Sequence, residues 1–224
     1  MILIIIQART SSGRLPNKIL YKFNKKTVIE ILIDKLKKIK TDKRIIVATS
    51  NNRSDNIVAE ISKKKKIECI RGSLNNVASR FKKVLILKKN YYYFTRISAD
   101  SPLLDIKIFL KMLKKIKQEY DIITNVQKKT FPKGQSVEII KTKFFLKNFK
   151  KIKSKIDKEH VTRKLYKIPS ANIYNYLNTK NESRHSLALD TKKDLDFYKF
   201  FFKKKKLSSN FRKILNIRIT YEKN

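Results

Sequence analysis

The chain has 224 residues, 41% of them apolar, and carries 56 Lys and Arg against 18 Asp and Glu, a formal net charge of +38. One cysteine, Cys69, and two histidines, His160 and His185, exclude an internal disulfide framework, a Cys-rich metal site and a His-rich zinc site. No apolar run approaches the roughly eighteen residues of a membrane span. The opening MILIIIQART also lacks the basic start and small-residue cleavage site of a signal peptide, so a soluble cytoplasmic protein is expected.

Two readings of the charge stand side by side. Clustered Lys and Arg neutralise nucleic-acid phosphates. A coding bias towards A and T would give the same excess, because Lys far outnumbers Arg, Ile and Asn are abundant, and Gly, Pro and Trp are scarce. The lysine runs KKIK and KKKK recur along the whole chain instead of marking one face, which argues against a nucleic-acid partner. Under either reading the field favours anionic ligands.

In chain order, Ile2–Ile6 is a β-branched apolar run, expected as a strand buried on both faces. Thr27–Lys40 switches to helical spacing, with Val28, Leu32, Leu36 and Ile39 on one side and Lys35, Lys37, Lys38 and Lys40 on the other. Arg44–Thr49 reads as a second strand. Ser54 is a candidate N-cap for a helix running to Lys65. Ile67–Ile70 is a third strand, Leu74–Leu87 a helix, Tyr91–Ile97 a fourth strand, Asp105–Gln118 a helix and Asp121–Asn125 a strand. Beyond this the pattern loosens. Strands are expected at Ser136–Ile140, Asn172–Tyr176 and Ser186–Leu189, and helices at Thr142–Lys151, Asp157–Tyr166 and Leu195–Lys205. Residues after Leu207 carry little signal. Short strand–helix alternation means right-handed βαβ units and a largely parallel sheet. With no linker rich in Pro, Gly or Ser, residues 1–224 are expected to form one domain.

Ligands of open parallel sheets sit beyond the carboxyl ends of the strands. The segment Gln7–Lys18, QARTSSGRLPNK, leaves that edge. It holds neither GxxxxGK[ST] nor GxGxxG. Its cations are side chains: Arg9, Arg14 and Lys18 suit a chain of phosphates, with Ser11, Ser12 and loop N–H groups completing a cradle. The alternative is a solvated basic loop, but two arginines in a lysine-rich chain favour the cradle. Leu15 and Pro16 stiffen the exit, and Asn17 tolerates a left-handed turn.

The run IIIQARTSSGRLPNK resembles the opening of the spore-coat-polysaccharide type of cytidylyltransferase, a relative of the acylneuraminate and 3-deoxy-manno-octulosonate cytidylyltransferases, whose pattern is close to Q-A-R-x-x-S-x-R-L-P-G-K. VATSNNRSDN, RGSLNNVASRF, RISADSPLLD, FPKGQSVEII, EHVTR and LALDTKKDL follow in matching order, so the resemblance spans about residues 2–200. Asn17 departs from the usual glycine, and Gly13 stands where threonine is common. The resemblance implies a three-layer, Rossmann-like nucleotide-diphospho-sugar transferase (GT-A-like) α/β fold with a mostly parallel central sheet. It also implies Mg²⁺-dependent joining of CTP and a sugar, of acidic or related type, into a CMP-sugar and pyrophosphate for surface-glycan synthesis.

Asp100, at the end of the fourth strand in RISADSPLLD, is either a hard oxygen ligand for Mg²⁺ or a turn cap. Asp190, at the end of SLALD, poses the same choice. The resemblance makes both metal ligands. Asp105 and Asp194 suit helix first turns instead. By resemblance, Ala8, Arg9, Ser11, Ser12 and Gly13 contact the nucleotide, and Arg71, Asn76 and Arg80 lie near its base. Arg80 alternatively packs its stem on the helix and pairs with an acid. Arg96, just beyond Tyr91–Phe94, either faces the sugar or ends its strand. Glu138, Glu159 and His160 match motifs expected around the sugar. Without that match Glu159 is a first-turn acid and His160 a structural histidine. Gly134 suits a turn, and Tyr91–Phe94 packing. The irregular stretch at about 126–180 is expected to line the sugar pocket and a homodimer interface. Two other functions remain open: a GT-A-like glycosyltransferase, whose D-x-D motif is not evident in SADS, and a basic nucleic-acid-binding module.

Overall fold

The computed structural model describes residues 1–204 and 210–223. Strand β1 (Ile2–Gln7) shows why this chain folds in layers. Its side chains alternate between faces: Ile2, Ile4 and Ile6 enter one core and Leu3 and Ile5 the other. Each fully buried aliphatic side chain contributes about 1.5–3 kcal/mol. That exceeds the roughly 1–2 kcal/mol needed to order one residue's backbone, so β1 is a natural centre.

The sheet runs β5-β4-β1-β6-β8-β7-β9, with β4 (Lys43–Ser50), β5 (Glu68–Gly72), β6 (Tyr93–Ser98), β7 (Ile122–Thr124), β8 (Glu138–Lys141) and β9 (Ile173–Asn175). Among the described residues, β8 alone runs against the others. The small hairpin β2 (Lys22–Phe23) and β3 (Lys26–Thr27) lies apart. The chain winds outward from β1 to β5, then returns to place β6 on the other flank of β1. The switch point falls between their carboxyl ends, Gln7 and Ser98, which lie opposite one another.

Helices cover both faces. On one side pack α1 (Val28–Lys37), α2 (Asn56–Lys64), α4 (Ile106–Leu113), α7 (Lys192–Lys204) and α8 (Phe211–Lys223). On the other lie α3 (Val77–Leu87) and α5 (Thr142–Asn148), with the residues following α6 (Lys155–His160) joining the same core. Helix α1 opens on a capping box: Thr27 Oγ1 accepts from Glu30 N (3.3 Å) and Glu30 Oε2 accepts from Thr27 N (2.8 Å).

Several expected boundaries shift for local reasons. Ser54 does not cap α2. A 3₁₀ turn, Arg53–Asp55, precedes the helix and is capped by Asn52. The expected helix 74–87 starts at Val77, where Asn76 caps it. Lys35 is not on the solvent side of α1; it is buried and donates from Nζ to the Leu104 carbonyl (3.1 Å). The helix expected at 157–166 is displaced: Ser154 caps α6, and Val161 stops it at φ 58°, ψ −55°. The expected strand 186–189 is absent, and Ser186 makes an isolated bridge to Lys133. Helix α8 occupies residues where no element was expected. Lys205, the last residue of the expected helix 195–205, lies outside the described residues. Among the described residues no helix is long and apolar enough to cross a membrane.

Candidate functional site

The loop after β1 is tied at three points. Its Ala8 N–H continues the β4 ladder by donating to Ala48 O (3.2 Å), and Asn17 N–H donates to Thr10 O (3.0 Å) to close the loop on itself. Asn17 adopts φ 55°, ψ 20°, the left-handed turn this residue type tolerates. The third tie is Asp55, without solvent exposure. Its Oδ1 accepts from Thr10 N (2.7 Å) and Thr10 Oγ1 (2.8 Å), and its Oδ2 accepts from the Ser50 hydroxyl and N–H. Burial raises its pKa, but the bonds from Ser50 and Thr10 outweigh burial and hold the carboxyl below its ordinary range. Leu15 and Ile19 are buried beneath the loop.

These ties aim the loop's polar groups into a cleft of about 300 Å³ at the switch point. Arg9, Ser11, Ser12, Gly13, Arg14 and Lys18 line it from one side, and Asp100, Glu159 and Asp190 from the others. Lys18 Nζ donates to Asp100 Oδ2 (2.5 Å) and to Asp190 Oδ1 (2.9 Å). Arg14 Nη2 lies 2.6 Å from Asp190 Oδ2, and Lys133 Nζ donates to that same oxygen. The two acids are also joined through the backbone, since Leu189 N donates to Asp100 O (2.9 Å). Burial lowers the Lys18 pKa, yet Asp100 and Asp190 raise it beyond the ordinary lysine value. Burial likewise raises that of Asp190, but Lys133 and Lys18 hold it well below the carboxylate range.

Two carboxylates of the cleft could hold a divalent ion. Asp100 and Asp190 are hard donors that already converge on one cation, the Lys18 ammonium. No group of three or more His, Cys, Asp or Glu surrounds a common point among the described residues. A donor pair without a cage is what Mg²⁺ takes beside phosphates.

A second cavity of about 460 Å³ shares Ser98 and Asp100 with the cleft, and Arg96, Lys129, Lys133, Glu138 and His160 are among its lining. Segment 126–136 and the end of α6 build its far wall. Glu138 is buried and fully engaged. It accepts from Arg96 Nη1 (2.6 Å), Thr162 Oγ1 (2.6 Å) and the Tyr166 hydroxyl. Burial, then Glu138, push the Tyr166 pKa well up, so its hydroxyl stays a donor. Arg96 Nε reaches Gln7 Oε1 (2.9 Å), coupling this bracket to the end of β1. Arg9 and Glu159 pair across the cleft (2.6 Å), and Arg9 lowers the Glu159 pKa.

Arg71, Asn76, Arg80, Asp105 and Asp194 line neither cavity, whereas Gly134 lines the second. Arg71 braces the edge by donating to Ser50 O, Asn52 O and Asn56 Oδ1. Asn76 Oδ1 accepts from Ser79 N (2.9 Å). Arg80 is wholly buried behind the loop, where its Nη1 reaches the carbonyls of Ala8 and Ala48 (3.4 Å each) and no acid among the described residues pairs with it. Burial, then Arg9, lower its pKa to about 10. Asp105 caps α4 and Asp194 holds the turn at Thr191. Gly134, at φ +92°, lies so close to segment 187–188 that a Cβ would stand 2.6 Å from Ala188 N.

Residues 7, 55, 133, 162 and 166 had no role in the sequence reading. Asp55 lies in the quoted stretch VATSNNRSDN, whose position after a strand was its signal. Lys133 sits in FPKGQ, where the lysine-rich composition hides it.

A mostly parallel sheet with one reversed strand among the described residues, and a cleft of paired cations and carboxylates at its switch point, define an α/β protein of the nucleotide-sugar-transferase type. A family model described as "Cytidylyltransferase" matches residues 3–215, and the chain belongs to that family. An uncharacterized protein of Methanocaldococcus jannaschii is 33% identical over 202 residues, covering 87% of this chain and 80% of the relative. The spore coat polysaccharide biosynthesis protein SpsF of Bacillus subtilis is 27% identical over 215 residues, covering 91% and 87%. The solved structure of a cytidylyltransferase from Leptospira borgpetersenii serovar Hardjo-bovis superposes with a TM-score of 0.90 at 25% identity, covering 99% of this chain and 95% of that one.

Proposed function

We propose that this cytidylyltransferase joins CTP and an anionic sugar, giving a CMP-sugar and pyrophosphate for surface-polysaccharide synthesis. The observation that carries the reading is the convergence of Arg14 and Lys18 with Asp100 and Asp190 on one cleft that opens into a second cavity. The cleft supplies cations for a triphosphate. The adjoining cavity carries Arg96, Lys129, Lys133 and His160, which suits an anionic co-substrate. The family match and the name of the Bacillus subtilis relative support the chemistry and the glycan role.

A sugar hydroxyl attacks the α-phosphate in line. The new P–O bond forms as the bond to the β-phosphate breaks, and the hydroxyl proton is released. Arg9, Ser11, Ser12 and the loop N–H groups hold the phosphates, which converts an encounter into a positioned reaction. Arg14 and Lys18 neutralise charge growing on the departing pyrophosphate. A fixed, largely buried cation such as Lys18, 13% exposed, is worth about 3 kcal/mol in such a transition state, and Arg14, 69% exposed, contributes less. Asp100 and Asp190 would hold Mg²⁺, which would polarise the phosphates. The Glu138 bracket keeps Arg96 aimed into the second cavity. We read the chain as one catalytic domain that works as a cytoplasmic homodimer, on the family resemblance alone.

The test is pyrophosphate release from CTP and Mg²⁺ with N-acetylneuraminate, 3-deoxy-manno-octulosonate and neutral hexoses, with UTP as control. Release requiring both CTP and an acidic sugar is expected. No release with any sugar, together with no stabilisation by CTP and Mg²⁺, overturns the reading.

A further inference from the structure

Asp190 is crowded by cations from two directions. Lys18 and Arg14 reach it from the loop after β1, while Lys133 reaches it from the wall of the second cavity. The Asp190 side chain is 4% exposed and the Lys133 side chain 54%, so a buried acid is capped by a largely solvated lysine. The Lys133 backbone is fixed: its N–H donates to His185 O (3.0 Å) and its carbonyl accepts from Leu187 N (2.7 Å). Gly134 allows this close approach, because any Cβ there would strike the backbone of Leu187 and Ala188. A pinned backbone thus carries a long, half-exposed cationic side chain, paired with Asp190, at the boundary of two cavities.

The three cations differ in what happens when a divalent ion reaches Asp190. Lys18 is 13% exposed and lies inside the phosphate cleft, where the triphosphate meets it as the metal takes Asp100 and Asp190. Arg14 lies within the phosphate cleft and acquires a new anion there. Lys133 loses its partner to the metal but lines the second cavity, where another anion can replace it. We propose that Lys133 is an exchangeable counter-cation. It occupies Asp190 before the metal–triphosphate binds, then turns into the second cavity to hold an anionic group of the second substrate. The inference rests on the cytidylyltransferase reading and adds an order to it: the nucleotide binds first and frees the group that receives the sugar.

The test compares wild type with Lys133→Met and Lys133→Arg, using Mn²⁺ as a paramagnetic probe in the presence of CTP. Removing one competing, partly solvated cation should tighten Mn²⁺ binding about fivefold in Lys133→Met. The same variant should raise the KM for an acidic sugar roughly tenfold or more, with the KM for CTP near wild type. Lys133→Arg should restore both values. A role confined to folding would weaken both ligands together, so opposite signs are the signature. Mn²⁺ binding no tighter than wild type, or an unchanged sugar KM, overturns the proposal. On wild type alone, saturation-transfer NMR should show N-acetylneuraminate bound only after CTP and Mg²⁺ are added, and equal binding to the free protein also overturns it. A wild type that fails to bind Mn²⁺ with CTP removes the underlying reading and the inference with it.

Discussion

Replacing Asp55 separates the scaffold of the cleft from its chemistry. The carboxylate accepts from two backbone N–H groups and two hydroxyls, all from Thr10 and Ser50. In Asp55→Ala the hydroxyls keep other partners: Thr10 Oγ1 still reaches Ser54 Oγ (3.0 Å), and Ser50 Oγ still accepts from Asn52 N (3.1 Å). The Thr10 and Ser50 N–H groups do not. Two orphaned buried donors cost about 1–3 kcal/mol each, so a loss of roughly 2–6 kcal/mol is expected. Asp55→Asn keeps one acceptor for Thr10 but turns an amide towards the Ser50 N–H, and should lose roughly 1–3 kcal/mol. Because the folded Asp55 pKa is depressed, its contribution is present above the unfolded value near 3.9 and lost as pH falls through the folded value. The gap between wild type and Asp55→Asn should therefore be full at pH 6 and narrow below about pH 4. Urea unfolding followed by circular dichroism at both pH values measures this. An Asp55→Ala protein that unfolds at the wild-type urea concentration would refute the reasoning.

Asp100→Asn should cut pyrophosphate release about 10²–10³-fold while shifting stability by no more than about 1 kcal/mol, since Lys18 keeps Asp190. Turnover and melting curves on one preparation check this. Gly134→Ala should destabilise by roughly 1–3 kcal/mol, because its φ of +92° and a Cβ 2.7 Å from Leu187 C leave no room to relax. It should also weaken CTP-induced stabilisation through the displaced Asp190 segment. Burial lowers the Lys35 pKa to about 8, so the unfolded chain binds more protons between about pH 8 and 10. Wild-type stability should rise through that window relative to Lys35→Met, by on the order of 3 kcal/mol. A constant difference between the two chemical-denaturation profiles would contradict this.

The core was legible where one physical signal dominates. Ile2–Ile6 is short, β-branched and apolar throughout, which suits a strand buried on two faces, and α4 follows from Ile108 and Met112 at helical spacing. The loop after β1 was legible because arginine stands out against a lysine background. Elsewhere the deciding forces are tertiary. Val161 ends α6 in a backbone conformation that a β-branched residue avoids, at a junction where Thr162 is held by buried Glu138. Local propensity gives no hint of it. The run Ser186–Leu189 looks like a strand but meets Lys133 at one bridge, because Gly134 brings the neighbouring segment against it for only a short stretch. Helix α8 is hidden by its mixed surface and shows itself through contacts such as Arg218 with Asp194 (3.3 Å). Arg80, expected either near the base or with its stem on the helix and paired to an acid, is buried and holds the Ala8 and Ala48 carbonyls from behind.

The most direct test of the central claim is the position of Mn²⁺ in crystals grown with CTP, located by anomalous scattering. One peak touching the carboxylates of Asp100 and Asp190 is expected, with the triphosphate along Arg14 and Lys18. A peak away from those two acids, or a triphosphate bound elsewhere on the surface, would contradict it.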